Sequence, residues 1–390
     1  MRVIGLMSGT SHDAVDAAAA DLALDGDTLV LAPLGLIGAA YPDTLRAALS
    51  AALPPAATTM ADVCALDTRI GQAFARLAVR ADRELCDGRA DLISSHGQTV
   101  YHWAEYGRVH GTLQLGQPAW IAEATGVPVV SDLRSRDVAA GGQGAPLVSL
   151  VDTLWLRGRP GVCAALNLGG IANLTVVPRA GEPRAFDTGP ANALIDAAVR
   201  DLTDGRLDHD ADGALGARGT LHPGLLERLL AEPYYALSPP KTTGKELFHL
   251  PYLRTALAAT GPVDGHDVIA TVTELTARTV ADAARSVHAT EVIASGGGTR
   301  NPALMAALRR TLGSIALRVS DDLGLPAAAK EAYAFAVLGF LTAHGLAGTV
   351  PSCTGARHPG VLGSITPGRR PLALPPPDRP APSRLEIFPR

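Results

Sequence analysis

The sequence predicts an α/β fold, and three observations support that prediction. Short β-rich runs alternate with helical patterns along the chain. Its 390 residues exceed what one hydrophobic core usually supports, so we expect two lobes. Hydrophobic residues make up 47% and charged residues 18%, a balance that is ordinary for a globular enzyme and excludes a largely disordered chain.

The elements follow in order from the N-terminus. Two strands, residues 3–7 and 14–24, flank a turn of small residues, which predicts a β-hairpin. Further strands are predicted at residues 91–95, 127–131, 164–168, 174–177 and 291–294. Helices are predicted at residues 44–52, 66–84, 192–202, 223–231, 268–288, 302–312 and 327–344. From residue 367 the chain is dense in Pro and Arg, which predicts an extended tail rather than a third domain.

Charge and cysteine usage limit the possible partners. A net charge of −4 without a basic cluster gives little reason to expect nucleic acid or an anionic membrane, so small molecules are favoured. The four cysteines are scattered without zinc-site spacing, and reduced structural thiols are the simpler interpretation. No basic segment precedes an apolar core at the N-terminus, and no stretch reaches the roughly 20 apolar residues of a membrane span, so we expect a cytoplasmic protein.

Glycine recurs where predicted strands end. The turns are SGTS at 8–11, HGQT at 96–99, GGQGAP at 141–146, NLGGIAN at 167–173, DTGPAN at 187–192 and SGGGTRN at 295–301. Because glycine lets backbone N–H groups approach an anion closely, strand-to-glycine turns commonly bind phosphate. A single Gly-Gly pair is more often a tight turn. Several such turns, each joined to Asp, Asn or Thr, favour a nucleotide site.

Three familiar nucleotide motifs are not matched. A P-loop requires G-x-x-x-x-G-K-[ST], and none of the chain's three lysines lies in such a motif. The Arg136-Asp137 pair lacks the flanking His and Asn of protein kinases. The turn at Gly296 resembles half of a dinucleotide fingerprint, but it comes late and has Asn301 where Gly or Ala is required, so a dehydrogenase is a poor second.

Nine stretches, in order from about residue 3 to about residue 368, together resemble the anhydro-N-acetylmuramic acid kinases. They are GLMSGTSHDAVDAA, SHGQTVYH, TLQLGQPAWIAEATGVPVVSDLRSRDVAAGGQGAPLV, NLGGIANLT, FDTGPANALIDA, ELTARTVADA, ASGGGTRNPALMAALR, GLPAAAKEAYAFAVLG and CTGA with the later VLG. This family belongs to the superfamily of sugar kinases, actin and heat-shock chaperone ATPases.

The resemblance implies a two-lobed actin-like, ribonuclease H-like ATPase fold with ATP and Mg²⁺ in an interdomain cleft. Motif order places the first lobe at residues 1–127 plus 355–390, and the second lobe, with nucleotide and sugar contacts, at residues 128–354. The implied reaction opens the 1,6-anhydro ring of anhydro-N-acetylmuramate hydrolytically and phosphorylates O6. It gives N-acetylmuramate 6-phosphate in the recycling of bacterial cell-wall sugars, and the same likeness suggests a homodimer.

The resemblance also implies which residues bind the nucleotide. The first hairpin resembles the family's phosphate hairpin, with ATP-binding residues Gly9, Thr10, Ser11, His12, Asp13, Ala14, Val15 and Asp16. The phosphates are further assigned to Gly169, Gly170, Asn173 and Gly189, and adenosine to Gly296, Gly297 and Gly298. Asp13 and Asp16 are candidates for binding Mg²⁺ through water, because Mg²⁺ takes only one or two carboxylates. Either aspartate could instead be an ordinary turn or edge-strand residue.

The chain departs from the family at two residues of this hairpin. His12 and Ala14 stand where the family usually has Leu and Gly. If residue 14 needed a positive φ, Ala would cost about 1 kcal/mol or more relative to Gly, whereas a strand conformation would remove the conflict. A solvent-facing or packed side chain is the simpler interpretation of His12.

Opening an anhydro sugar with water requires a base, and a carboxylate is the candidate for that base. O6 is tied to C1, so a water must attack C1 while the γ-phosphoryl group of ATP captures O6, much as in inverting glycoside hydrolysis. Asp187 follows an apolar strand and precedes a helix, and the matching family motif gives it the role of base. Without the family, an N-cap of the helix beginning near Ala191 is an equal alternative.

Five residues are candidates for sugar contacts: His96, Gln98, Asp132, Arg134 and Glu331. Arg134 suits the lactyl carboxylate, because a planar guanidinium can bind two oxygens at once. The resemblance places Glu331 in the sugar pocket, although an isolated glutamate is more often a surface charge.

Two rival functions remain on the sequence alone. Another sugar kinase on the same scaffold would not need an intact anhydro bridge in its substrate. A non-enzymatic actin-like or chaperone-like ATPase module would favour long interaction segments beyond the two lobes.

Overall fold

The computed structural model describes residues 1–9, 12–54, 56–105, 108–239, 241–244, 246–376 and 380–388. Its strands are β1 (Arg2–Ser8), β2 (Ala14–Asp25), β3 (Thr28–Ala40), β4 (Leu92–Glu105), β5 (Arg108–Leu115), β6 (Val129–Ser131), β7 (Cys163–Leu168), β8 (Ile171–Val177), β9 (Arg184–Pro190), β10 (Glu291–Ser295), β11 (Ala316–Val319), β12 (Ser364–Thr366) and β13 (Arg384–Ile387). Its helices are α1 (Asp43–Ala52), α2 (Met60–Cys86), α3 (Pro118–Thr125), α4 (Leu133–Ala139), α5 (Ser149–Leu156), α6 (Asn192–Leu202), α7 (Pro223–Leu230), α8 (Leu250–Thr260), α9 (Gly265–Ser286), α10 (Pro302–Leu312), α11 (Lys330–Ala343) and α12 (Pro351–Thr354).

These elements form two compact units. Unit 1 comprises Met1–Trp155 and Ala329–Arg390, and unit 2 comprises Leu156–Ala328. Each unit has its own sheet and its own hydrophobic core. The α/β prediction is therefore confirmed.

Unit 1 is built on a mixed sheet with strand order β12-β6-β4-β1-β2-β3-β13, and β5 pairs with β4. Strands β1 and β2 are antiparallel, with Met7 opposite Asp16, which confirms the predicted hairpin. Strand β1 also runs parallel to β4, with Ser8 opposite Gln98. The last residue of β1 therefore lies beside the middle of β4.

Helix α11 is buried along nearly its whole length and packs on β1, β2 and β4. Two glycines make this close packing possible. A Cβ on Gly5 would lie 1.9 Å from the carbonyl oxygen of Ala332, and a Cβ on Gly339 would lie 2.4 Å from the Cβ of Ser94. These distances are far below van der Waals contact, so larger residues would push the helix off the sheet.

Unit 2 has a second sheet with strand order β11-β10-β7-β8-β9. Strand β10 runs parallel to both β7 and β11, while β8 is antiparallel to β7 and β9. The core contains side chains from β7, β8 and β10 together with helices α6, α7, α9 and α10. Helix α9 presents buried residues on most of its faces, from Val268 to Ala284.

The lobe boundaries from motif order differ from the unit boundaries. Residues 128–155 and 329–354 were assigned to the second lobe, whereas the structure groups them with unit 1. The reason is local: β6 pairs with β4 and β12, and α11 packs on the unit 1 sheet. Motif order cannot show such packing. The allocation of nucleotide and sugar contacts to lobes remains a prediction.

Every element predicted from the sequence is present, with ends shifted by a few residues in most cases. Elements that were not predicted from the sequence include β3, β5 and α8. Strand β3 contains Pro33, Gly35 and Gly38, which weaken a strand signal. The tail beyond residue 367 is mostly extended, as predicted, but it also contributes β13, which runs parallel to β3.

Within the described residues, no helix combines the length and the apolar character needed to cross a lipid bilayer.

Candidate active site

Asp187 lies on β9 at an irregularity in its pairing with β8. Ala172 pairs with Gly189, but the next residue, Asn173, pairs with Asp187, so Thr188 is left over as a bulge. A bulge redirects side chains, because strand residues otherwise alternate between faces. As a result Asn173 and Asp187 are directly opposed.

Both carboxylate oxygens of Asp187 accept a hydrogen bond. The amide Nδ2 of Asn173 donates to Oδ1 at 2.8 Å, and the backbone N–H of Thr243 donates to Oδ2 at 2.9 Å. Helix α6 has Ala191 at its N-cap, and no side chain caps it. The alternative that Asp187 serves as a helix cap therefore does not describe this structure. Asn173, predicted near the nucleotide, bonds the carboxylate itself.

A segment after α7 wraps around Asp187 and was missed by the sequence analysis. The backbone N–H of Asp187 donates to the carbonyl of Lys241 at 3.0 Å, and the hydroxyl of Tyr234 donates to the carbonyl of Asp187 at 2.9 Å. The ammonium of Lys241 donates to the carbonyls of Tyr234 and Tyr235 at 3.3 and 3.1 Å. The sequence did contain a feature that marks this segment, because two of the chain's three lysines lie in KTTGK.

The surroundings of Asp187 raise the pKa of its carboxyl group to about 6. Burial is the largest cause, because a poorly solvated carboxylate loses hydration. The donors from Asn173 and Thr243 act in the opposite direction, while the negative charge of Glu246 adds to the rise. A carboxyl group with this pKa is mostly ionised near neutral pH and can accept a proton, which is what a general base requires.

The turn between β7 and β8 holds the start of α6. The carbonyl of Gly170 accepts from the backbone N–H groups of Ala191 and Ala193, at 2.9 and 3.0 Å, and the carbonyl of Gly169 accepts from that of Asn192 at 3.0 Å. The first amides of α6 are thus bonded within the protein. Among the described residues, these bonds use the carbonyls of Gly169 and Gly170, so their amides are the groups that could face a phosphate.

The three glycines after β10 have different surroundings. A Cβ on Gly296 would lie 2.5 Å from Oδ1 of Asn167, and a Cβ on Gly298 would lie 2.7 Å from the Cβ of Leu168. A Cβ on Gly297 would have no heavy atom within 4 Å among those described. Packing against β7 therefore requires two of these glycines. At Gly297, by contrast, no described protein contact requires the absence of a side chain.

The phosphate hairpin of unit 1 is only partly described. Thr10 and Ser11 lie outside the described residues, and their role stays a prediction. Ala14 begins β2, which removes the predicted conflict with a positive φ, and it is His12 that has the left-handed φ of 57°. Val15 is buried in the core, so it can reach a ligand only through its backbone.

Gln98 is completely buried next to this hairpin. Its Oε1 accepts from the hydroxyls of Ser8 and Tyr41 at 2.7 and 3.3 Å, and its Nε2 donates to the carbonyls of Gly9 and Thr99 at 3.1 and 3.3 Å. Both ends of the amide are thus bonded within the protein. This geometry fits a residue that holds the hairpin better than one that contacts sugar.

His96, on the same strand, is bonded to Arg134 of α4. Nε of Arg134 donates to Nε2 of His96 at 2.9 Å, and Nη1 of Arg134 donates to the carbonyl of Gly144 at 2.6 Å. Burial lowers the pKa of Arg134 to about 10, although the negative charges of Glu331 and Asp137 oppose this. The guanidinium therefore stays charged near neutral pH.

Two further predicted sugar contacts lie on helices of unit 1. Glu331 is in the first turn of α11, and its charge acts on Arg134. Beside it, Lys330 and Asp152 form a buried ion pair with Nζ 2.7 Å from Oδ1. Asp132 is exposed at the start of α4, where it accepts from the hydroxyl of Ser135 at 2.5 Å. The structure thus brings Glu331 and His96 to Arg134, and leaves Asp132 at the surface.

The carboxylates of Asp13 and Asp16 are hard oxygen donors of the kind that Mg²⁺ prefers. Asp13 is exposed and Asp16 is partly buried at the hairpin. Within the described ranges, no group of three or more His, Cys, Asp or Glu side chains is placed to hold a metal ion. The donor set therefore suits an ion that keeps several of its waters, and it does not suit a closed protein cage.

A partly buried carboxylate that can act as a base and glycine-rich turns after strands are features expected of an enzyme of the phosphotransferase class. The comparison with known families is specific. The model of the family described as anhydro-N-acetylmuramic acid kinase matches residues 1–368, and this chain belongs to that family.

Curated relatives agree along the full length. The chain is 74% identical over 387 residues to an anhydro-N-acetylmuramic acid kinase of Streptomyces avermitilis, covering 99% of this chain and 100% of the relative. It is 63% identical to one from Rhodococcus erythropolis, covering 95% and 96%. Among solved structures, the (R)-2-hydroxyglutaryl-CoA dehydratase component A of Acidaminococcus fermentans gives a TM-score of 0.45 at 14% identity, covering 87% of this chain and 97% of that one.

Proposed function

We propose that this protein is an ATP-dependent kinase that opens the 1,6-anhydro ring of anhydro-N-acetylmuramate and phosphorylates O6, giving N-acetylmuramate 6-phosphate in cell-wall sugar recycling. The observation that carries this function is the family match over residues 1–368 together with full-length relatives of up to 74% identity. The geometry around Asp187 supports the mechanism.

In the proposed reaction, Asp187 takes a proton from a water molecule as that water attacks C1 of the sugar. The C1–O6 bond breaks, and its electron pair stays on O6. O6 then bonds to the γ-phosphorus of ATP and ADP leaves. No separate acid is needed to protonate O6, because phosphoryl transfer captures that oxygen. One carboxylate base is therefore sufficient.

The two donors to Asp187 suit this role. Asn173 and the N–H of Thr243 each occupy one lone pair and fix the plane of the carboxylate. Each carboxylate oxygen has two lone-pair sites, so sites remain that can accept a proton from water. An orientation fixed before the substrate arrives reduces the entropy cost of reaching the transition state.

Nucleotide binding is assigned to glycine-rich backbone in both units. In unit 1 the hairpin from Gly9 to Asp16 is assigned to the phosphates. In unit 2 the amides of Gly169, Gly170 and Gly189 are assigned to the γ-phosphoryl group, and Gly296–Gly298 to adenosine. Mg²⁺, when bound, would neutralise phosphate charge, and Asp13 and Asp16 would hold it through water.

Sugar binding is assigned to the cluster around Arg134 in unit 1. Its charged guanidinium suits the lactyl carboxylate, and the nearby carboxylate of Glu331 suits sugar hydroxyl or amide N–H groups. We further propose a cytoplasmic location, where ATP is available, and a homodimer, which rests on the family resemblance.

The choice between this reaction and an ordinary sugar kinase can be tested with two acceptors. We expect purified protein with ATP and Mg²⁺ to phosphorylate anhydro-N-acetylmuramate. N-acetylmuramate, whose 6-hydroxyl needs a base that the proposed mechanism does not place there, should show a kcat/KM about a hundredfold lower. Equal kcat/KM values would favour the ordinary kinase. ATP hydrolysis without transfer to either sugar would favour the non-enzymatic ATPase module.

A further inference from the structure

Arg134 is a poorly solvated cation whose described hydrogen bonds go to neutral groups. They go to the imidazole of His96 and the carbonyl of Gly144. The buried carboxylate of Asp137, which is close enough to act on it, is itself bonded to the N–H of Gly144 and the hydroxyl of Thr354, both at 2.7 Å. Guanidinium carries five N–H donors, and these bonds use two of them. The remaining donors suit a planar anion.

The His96 side chain is buried and makes a contact at each of its ring nitrogens. It is 4% exposed, its ring lies 4.6 Å from that of Phe335 between centroids, and its Nδ1 is 2.8 Å from the carbonyl of Gly97. That carbonyl can only accept, so Nδ1 carries the proton and Nε2 is left as an acceptor for Arg134. Burial, together with the positive charge of Arg134, lowers the pKa of His96 well below its usual value, which keeps the imidazole neutral.

Both ring nitrogens of His96 are therefore committed within the protein. A sugar hydroxyl could reach neither without breaking one of these bonds. His96 therefore fits the predicted sugar contact poorly. Its two described hydrogen bonds join it to Gly97 and Arg134 instead. Its lone pair sets the direction of the Arg134 side chain at Nε, while Gly144 of the GGQGAP turn sets it at Nη1.

We propose that His96 is a positioning residue that holds Arg134 ready for the carboxylate of the sugar substrate, and so makes the enzyme select a free carboxylate over an amide. This inference rests on the proposed function. A fixed guanidinium binds a carboxylate through two charge-assisted bonds, whereas an uncharged amide offers one acceptor and no charge. Because the side chain is already oriented, less rotamer entropy is lost when substrate binds.

The test compares two substrates and three variants. The substrates are anhydro-N-acetylmuramate and its primary carboxamide, which has nearly the same shape as the lactyl carboxylate but no charge. His96→Asn can still donate to Gly97 from the Nδ1 position but cannot reach Arg134, whereas His96→Gln places an amide oxygen near the former Nε2. Arg134→Lys retains the positive charge but removes the planar guanidinium that can bind two carboxylate oxygens at once. The readouts are kcat and KM for each sugar, with the inhibition constant replacing KM where the amide is not turned over.

We expect the wild-type protein to favour the carboxylate sugar by about ten- to a hundredfold in kcat/KM, the range for hydrogen bonds to charged groups. His96→Asn should reduce that preference about tenfold, mainly through KM for the carboxylate sugar. His96→Gln should retain most of the preference, and Arg134→Lys should lose it.

Several outcomes would overturn the inference. One is an equal loss for both sugars in His96→Asn, which would indicate a structural role or a direct sugar contact. Another is an undiminished preference in Arg134→Lys, a variant that remains informative if His96→Asn does not fold. A wild-type protein that phosphorylates both sugars equally well would also refute it, while leaving the proposed function intact. Failure to phosphorylate either sugar would instead refute the proposed function.

Discussion

At residue 187 two opposing effects set the protonation of one carboxyl group. Burial and the charge of Glu246 favour the neutral acid, and the donors Asn173 and Thr243 favour the carboxylate. The resulting pKa of about 6 lies above the ordinary value for aspartate but below neutral pH. Asp187 can therefore be ionised in the resting enzyme and still be basic enough to take a proton.

This balance predicts the pH dependence of the enzyme. A base must be deprotonated to act, so kcat should fall as the pH drops through about 6. Asn173→Leu removes a donor that stabilises the carboxylate, so the pKa of Asp187 should rise and the acidic limb of the pH profile should move to higher pH. Steady-state kcat measured from pH 5 to pH 9 tests this.

The control for that experiment is Thr243→Ala, because the donor at residue 243 is the backbone N–H, which alanine retains. Its acidic limb should stay at the wild-type pH. An Asn173→Leu profile that coincides with the wild-type profile, or that moves to lower pH, would show that Asn173 does not stabilise the ionised base.

At the scale of elements, the turn after β10 combines packing with a proposed ligand contact. Gly298→Ala would bring a methyl group 2.7 Å from the Cβ of Leu168, so it should destabilise the protein by about 1–3 kcal/mol. Gly297→Ala points into open space among the described atoms, so it should leave stability unchanged. If adenosine lies against this turn, Gly297→Ala should nevertheless weaken nucleotide binding.

Thermal unfolding and calorimetric titration with a non-hydrolysable ATP analogue separate these effects. Unchanged nucleotide affinity in Gly297→Ala would argue against the assigned adenosine site. A loss of stability in Gly297→Ala as large as that in Gly298→Ala would argue against the different packing of the two glycines.

The buried ion pair at the start of α11 gives a second prediction at this scale. Lys330→Met leaves Asp152 buried without its cation, which should cost about 3–5 kcal/mol of unfolding free energy. Adding Asp152→Leu should recover much of that loss, because the unpaired charge is then removed. Arg285→Met, which breaks an exposed pair with Asp282, should cost about 1 kcal/mol or less.

Urea unfolding of these variants measures the differences. A Lys330→Met variant no less stable than Arg285→Met would show that the buried pair does not stabilise unit 1. No recovery in the double variant would show that the loss comes from packing rather than from an unpaired charge.

The sequence predicted the helices and strands more accurately than the contacts between residues far apart in the chain. Helices α6 and α10 have the predicted bounds, because both have strong helical periodicity and clear ends. Strand β5 (RVHGTLQL) and the KTTGK segment have little apolar periodicity, so a pattern-based analysis passes over them.

Asp187 could be named from the resemblance, although the strand that the sequence predicted to end there continues to Pro190. Its donor Thr243 and its contact with Tyr234 come from residues about 50 positions away in the chain. Likewise, nothing in the sequence pairs His96 with Arg134, 38 positions apart. Such contacts depend on tertiary packing, which local sequence patterns do not contain.

At the scale of the whole molecule, the two units have separate cores, but they differ in chain connectivity. Unit 2 is one continuous segment, whereas unit 1 is completed by residues after 328. The fragment 156–328 should therefore fold cooperatively by itself. The fragment 1–155 should not, because it lacks α11, which covers β1, β2 and β4.

Circular dichroism melting and two-dimensional NMR of the fragments test this expectation. A sharp melting transition and dispersed amide resonances are expected for 156–328, and their absence would show that its core needs the other unit. A cooperatively folded 1–155 fragment would show that α11 is not essential to unit 1.

The central claim is that Asp187 directs water to C1 while O6 is phosphorylated, and the most direct measurement is the fate of the bridging oxygen. The substrate carries ¹⁸O in its C1–O6 bridge, and the product is examined by ³¹P NMR and mass spectrometry. The control is Asp204→Asn, an exposed aspartate in the same unit whose left-handed φ of 49° asparagine tolerates. The account predicts that all label stays in the phosphate ester, with turnover normal in Asp204→Asn and lost in Asp187→Asn. Label missing from the ester, or normal turnover in Asp187→Asn, would contradict it.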